Sequence, residues 1–215
     1  MPFKENEREY RNFQSFNFET RDEGDLNRMI VEGYASTFDE YVLRDNGEEV
    51  WTERFEPTAF DETDMSDVVF LRDHQGTVFA RTRNNTLTLA PDERGLFTIT
   101  DLSKTSSARE MYEEIATGLY TQMSFGFIVG DQRFEEEIVG GKRIIHRIIQ
   151  SVRKCFDVSA VCRPANYFTE IGTATRSAFD GGIEELEAER KRVEQEEARK
   201  ALELKLKLEE FDNGF

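Results

Sequence analysis

One stretch of this chain changes its apolar spacing, and that change limits what the chain can fold into. Ala108, Met111, Tyr112 and Ile115 recur at i, i+3, i+4 and i+7, which places them along one face of a helix. Ser107 followed by Glu110 has the form of a capping box, and Gly118 stands where a left-handed residue would end the helix. On both sides the pattern is that of strands. MIVEGYASTF from Met29, DVVFLRDH, VFARTR, NTLTLA and LFTITDL precede the helix, with Asp45-Asn46-Gly47 and PDERG at 91–95 as turn signals. A short helical turn is expected around Pro57 to Phe60. A strand containing Ser124, a hairpin turning at Gly140-Gly141 and the strand VRKCFDVSAVC follow the helix. One helix inserted in such a run specifies an α+β, mainly β domain, built as an antiparallel barrel or a sandwich.

The chain has 215 residues, room for one domain of roughly 150–180 residues plus tails. Residues 1–27 are polar and charged and are expected to be a flexible N-terminal segment, residues 28–175 the folded domain, and residues 176–182 a linker through Gly181-Gly182. Residues 183–215 read as a charged helical tail. Ile183, Leu186 and Val193 fit heptad spacing there, but Arg190, Glu197 and Lys200 take the next seam positions. A net charge of −16 repels phosphate backbones and anionic lipid, so neither nucleic acid nor a membrane is expected as a partner. No apolar run approaches the ~20 residues of a spanning helix, and MPFKENEREYRNF lacks the apolar core of a signal peptide, so a cytosolic protein is expected. Cys155 and Cys162, seven apart, suit neither a zinc site nor a redox pair and read as reduced packing residues.

Only two histidines exist, so a neutral-pH proton shuttle based on histidine must use His74 or His146. His74 ends the strand VVFLRDH, where a side chain can project into a cleft. Ser124 lies in TQMSFGFIV, among phenylalanines and aliphatics, where a hydroxyl needs either a hydrogen-bond partner or a chemical role. A serine nucleophile needs an adjacent base and a third group to orient that base. Asp73 is poorly placed for the third role, because neighbours on a strand face opposite ways. Asp157 in KCFDVSAV interrupts an apolar strand and is the better candidate; His146 in RIIHRII is the alternative. GxSxG and HExxH are absent, and no metal or nucleotide site is suggested, so no cofactor is expected.

VEGYASTFDE, RFEPTAFDE, VVFLRDHQGTVFART, NTLTLAPDERGLFTI, TSSAREMYEEIATGLYTQMSFGF and FDVSAVCRPANYFTEI, in this order, resemble the prohead serine proteases of tailed bacteriophages over about residues 30–172. That family is similar in fold to herpesvirus capsid-maturation proteases, so the resemblance implies a closed antiparallel β-barrel with flanking helices. It also implies a serine endopeptidase inside the immature head, in the host cytoplasm. Its substrates would be the scaffold, or the scaffold-like N-terminal segment of the major capsid protein, and then itself, with self-association into a dimer or larger assembly. The family's base falls on His74, its nucleophile on Ser124 and its acidic third member on Asp157. Where the family commonly has Glu-Val-Ser this chain has Asp-Val-Ser, so the resemblance leaves His146 as an alternative third residue, as in the serine-histidine-histidine arrangement of the herpesvirus relatives. Backbone amides near Arg163 or around Ser124-Phe125-Gly126 are the candidate oxyanion donors. The tail would be a packaging segment lost on self-cleavage. The competing reading is a catalytically silent scaffold or assembly protein that keeps the protease fold.

Overall fold

The computed structural model describes residues 7–13, 19–21, 28–162, 181–197 and 199–200. Its strands are β1 (Glu9–Phe13), β2 (Glu19–Arg21), β3 (Ile30–Thr37), β4 (Tyr41–Asp45), β5 (Glu49–Phe55), β6 (Val69–Arg72), β7 (Gln75–Arg81), β8 (Leu87–Pro91), β9 (Gly95–Asp101), β10 (Gln122–Val129), β11 (Gln132–Val139), β12 (Lys142–Ile149) and β13 (Val152–Val161). Helix α1 spans Ser106–Ala116, and residues 181–197 form a second helix, α2.

The expected closed antiparallel barrel is not what forms. The strands make three open sheets, ordered β1-β10-β13-β6-β7, β11-β12-β5-β4 and β2-β3-β9-β8. None closes on itself. Two central pairs, β12 with β5 and β13 with β6, are parallel. Parallel neighbours require long crossovers, and the alternation of a strand carries no information about which distant strand will lie beside it.

The core lies where the inner faces of these sheets meet. Met123, Phe125 and Phe127 alternate along β10, fully buried, and Phe125 and Phe127 stack at 4.5 Å between centroids. Phe55 and Phe60 join them at 5.5–6.1 Å. Burying each such ring is worth about 1.5–3 kcal/mol, so this cluster holds β10 rigidly against the second sheet. Ala108, Met111 and Ile115 of α1 are buried, as their spacing requires. The cap of α1 differs from the expected box: Thr105 is the N-cap and its side chain accepts from the Ala108 amide. Gly118 has φ +80° and ends the helix as expected. Residues 56–63 form successive turns rather than a helix, closed by bonds such as Ala59 N–H to Glu56 O. Gly140 and Gly141 both have positive φ and turn the β11–β12 hairpin.

Two segments at the ends of the chain are more closely packed than their composition suggests. Within residues 1–27, Glu9–Phe13 pair with β10, and Glu9 and Arg11 are buried. Gly181 and Gly182 of the expected linker begin α2; a Cβ at Gly182 would meet the Phe134 ring at 2.6 Å, so only glycine fits. Ile183 and Leu186 then pack on Leu43, Trp51, Phe134 and Ile145, whereas Val193 is exposed. The rest of the linker, residues 176–180, and the tail beyond residue 200 lie outside the described residues.

Candidate active site

The two faces of β10 have different jobs. Its odd-numbered positions fill the core, and Ser124 and Gly126 face the other way, toward β13 residues Asp157 and Ser159. The pairing Ser124↔Ser159 and Gly126↔Asp157 is followed by a bulge before Phe127↔Cys155. That extra residue is what turns Cys155 into the core although it lies only two positions from Asp157. Burial of Cys155, with the Asp157 charge nearby, pushes its thiol pKa far up, in keeping with an inert packing residue.

His74 is delivered by a tight turn. β6 runs parallel to β13 and reverses into β7 through only Asp73 and His74, with Arg72 opposite Gln75. Both turn residues have positive φ, 45° and 59°, the conformation a two-residue hairpin of this twist demands. Asparagine and glycine usually fill such turns, so a histidine here bears a backbone cost. The turn is tied to the end of β13: the Asp73 amide donates to Ala160 O at 3.0 Å, and the Cys162 amide donates to Asp73 Oδ1 at 3.3 Å. Asp73 thus anchors the loop and does not touch the imidazole.

The imidazole bridges two groups. His74 Nδ1 is 2.5 Å from Asp157 Oδ1, and His74 Nε2 is 2.6 Å from Ser124 Oγ. Asp157 and Ser124 are almost completely buried. Ser159 Oγ donates to Asp157 Oδ1 at 3.0 Å, accepts from the His74 amide at 3.3 Å and lies 3.2 Å from Nδ1. Asp157 Oδ2 accepts no hydrogen bond among the described residues, and Arg8 Nη1 is 3.8 Å away. A Cβ at Gly126 would sit 2.5 Å from Asp157 Oδ2 and 2.8 Å from the Tyr10 ring, so this glycine is the space into which the carboxylate fits. Aspartate therefore reaches the imidazole despite being one methylene shorter than glutamate.

His146 lies elsewhere. On β12, its Nδ1 is 2.7 Å from Glu40 Oε1 and 2.9 Å from Thr52 Oγ1, and its Nε2 is 3.4 Å from Glu137 Oε1. None of these partners belongs to the Ser124 cluster. Arg163 lies outside the described residues.

Two groups of residues escaped the sequence reading. Ser159 was legible in principle, since two positions from Asp157 on a strand means the same face. The other is a buried ionic cluster behind β10. Arg11 Nε and Nη2 donate to the two Glu53 oxygens at 2.5 and 2.8 Å, Arg11 Nη2 also reaches Glu9 Oε2 at 2.5 Å, and Arg147 bonds both Glu9 and Glu53 at 2.7–2.8 Å. Burial alone would raise the Glu9 carboxyl, but Arg147 and Arg11 outweigh it and hold it at about 2. Burial opposes the charge on Arg11 too, and Glu53 and Glu9 reverse that and raise its pKa. Glu9 and Arg11 alternate on a short charged segment, and nothing in such a pattern separates an inward ion pair from a solvated one.

A buried serine, an imidazole and a carboxylate in one hydrogen-bonded row make up the constellation of a serine hydrolase. Residues 16–181 match the caudovirus prohead serine protease family, and the chain belongs to that family of phage capsid-maturation serine peptidases. No curated protein and no solved structure matches the chain.

Proposed function

We propose that the chain is a serine endopeptidase in which Ser124 is the nucleophile, His74 the general base and Asp157 the group that orients His74. It cleaves the scaffold, or the scaffold-like N-terminal segment of the major capsid protein, and then itself, inside the prohead. The observation that carries this reading is the His74 ring, which spans Ser124 Oγ at 2.6 Å and Asp157 Oδ1 at 2.5 Å. With Nδ1–H donated to Asp157, Nε2 presents its lone pair to the Ser124 hydroxyl. Ser124 Oγ bonds to the scissile carbonyl carbon as its proton passes to Nε2. Collapse of the tetrahedral adduct breaks the C–N bond, and the leaving amine takes the proton from Nε2. Water then attacks the acyl ester, gives a proton to Nε2, and Ser124 recovers that proton as the acid departs. Throughout, Asp157 stabilises the imidazolium, and Ser159 holds both Asp157 and the His74 backbone in place. Its place of action is inside the procapsid, and no helix among the described residues is long and apolar enough to cross a membrane.

The test expresses wild type, Ser124→Ala and His74→Ala and follows the mass of each chain with and without the cognate capsid protein. Cleavage of both chains is expected only in wild type. Equal processing in all three would remove the assignment.

A further inference from the structure

Ser124 lies on the face of β10 turned away from the core, yet its exposure is 0 %. What covers this site includes the chain's own β1. It runs antiparallel along β10 from Glu9↔Phe127 to Phe13↔Met123, with Asn12 opposite Ser124. Each member of the proposed catalytic row meets one residue of β1 or of the position just before it. The Arg11 carbonyl oxygen is 2.9 Å from Ser124 Oγ, the Tyr10 ring lies 4.3 Å from the His74 ring, and Arg8 Nη1 is 3.8 Å from Asp157 Oδ2. A hydroxyl has one proton, so a bond to Arg11 O is made at the expense of the bond to His74 Nε2.

We propose that β1 is an intramolecular occupant of the substrate's place: an extended peptide segment docks on the same edge of β10, and β1 must leave for it to do so. This rests on the reading of Ser124 as nucleophile. A backbone carbonyl of an extended strand is the group a serine protease must bring to its hydroxyl, and β1 already holds one there. Once β1 is gone, the freed edge offers its N–H and C=O groups to any unfolded segment, with affinity drawn mainly from the main chain.

The ionic cluster explains how β1 can be both firmly held and removable. Arg11 and Glu9 anchor it to Glu53 and Arg147, and all four are buried. Deleting one member of such a cluster leaves an uncompensated buried charge. Departure of the whole strand does not: it removes Arg11 and Glu9 together, one charge of each sign, and leaves Arg147 and Glu53 paired at 2.8 Å. The latch thus comes apart as two neutral halves.

The experiment measures the rate at which a fluorophosphonate modifies Ser124, by intact mass, in full-length wild type, Tyr10→Ala and the charge-balanced double variant Glu9→Gln/Arg11→Gln. Tyr10 is 44 % exposed, so its truncation tests the cover even where the double variant unfolds. Both variants are expected to react at least tenfold faster than wild type, and an added peptide with the sequence of residues 7–14 is expected to slow the double variant again. Equal rates at Ser124 in wild type and in the folded variants would overturn the occupant while leaving Ser124 a reactive nucleophile. Absence of modification at Ser124 in every folded chain would overturn the nucleophile reading, and the occupant with it.

Discussion

The two histidines of this chain have nearly the same surroundings and different arrangements. Their side chains are 16 % and 20 % exposed, and each has a carboxylate and a hydroxyl within hydrogen-bond reach. At His74, Asp157 and Ser159 sit on Nδ1 and the Ser124 hydroxyl on Nε2, so a proton taken from Ser124 would generate a cation that Asp157 already faces. At His146 the Glu40 carboxylate and the Thr52 hydroxyl share Nδ1, and Nε2 faces a second carboxylate, Glu137. That ring lies between two acids, and among the described residues its far nitrogen meets a carboxylate and no hydroxyl. Burial and partner type do not separate the two rings; the distribution of partners across each ring does, and the base proposed at His74 rests on it.

The two rings should differ most in what their loss, or the loss of their hydroxyl partner, does to cleavage. Ser124→Ala or His74→Ala is expected to lower capsid-protein cleavage by on the order of 10⁵–10⁶, measured as initial rates. Asp157→Asn keeps the shape but favours the wrong tautomer, and a loss of roughly 10⁴ in kcat is expected. These rates belong above about pH 5, because Glu9 makes the fold acid-sensitive. Its carboxyl is held at about 2 in the folded chain against a usual 4.5. The unfolded state therefore binds more protons as pH falls from 4.5 toward 2, and stability falls by about 3 kcal/mol across that window. Urea titrations at several pH values should show this slope, and Glu9→Gln should lessen it, the remainder coming from Glu53 and other carboxylates held below their usual values. Ser159→Ala removes a hydrogen bond to the Asp157 carboxylate, worth about 1.5–3 kcal/mol, and a weaker one from the His74 amide, so kcat is expected to fall by at least about tenfold with KM little changed, and Ser159→Thr to recover part of it. His146→Ala sharpens the contrast from the other side. It removes a partly exposed ring that contacts Glu40, Thr52 and Glu137 and none of the Ser124 cluster, and activity should stay within about threefold of wild type.

Much of the fold was legible in the sequence, for identifiable reasons. β3, β8, β9 and β13 follow strand composition bounded by turn residues, and α1 follows the spacing of Ala108, Met111 and Ile115. The parallel pairing of β13 with β6, which brings His74 beside Asp157, was not legible, because register between distant strands leaves no local trace. His74 and Ser124 stood out through scarcity and through a hydroxyl among aromatics. Ser159 was missed because serine is ordinary on a strand, and β1 because a charged segment normally faces water. Its burial depends on Glu53, 42 positions from Arg11, and on Arg147, 138 positions from Glu9.

The most direct test of the account is the site of covalent capture. Full-length wild type, His74→Ala and His146→Ala are incubated at length with a fluorophosphonate, which bonds to an activated serine oxygen with loss of fluoride, and are then mapped by peptide mass. The account predicts an adduct on Ser124 in wild type and in His146→Ala, and one slowed by at least a thousandfold in His74→Ala. An adduct on a different serine, or equal modification of Ser124 without His74, would contradict it.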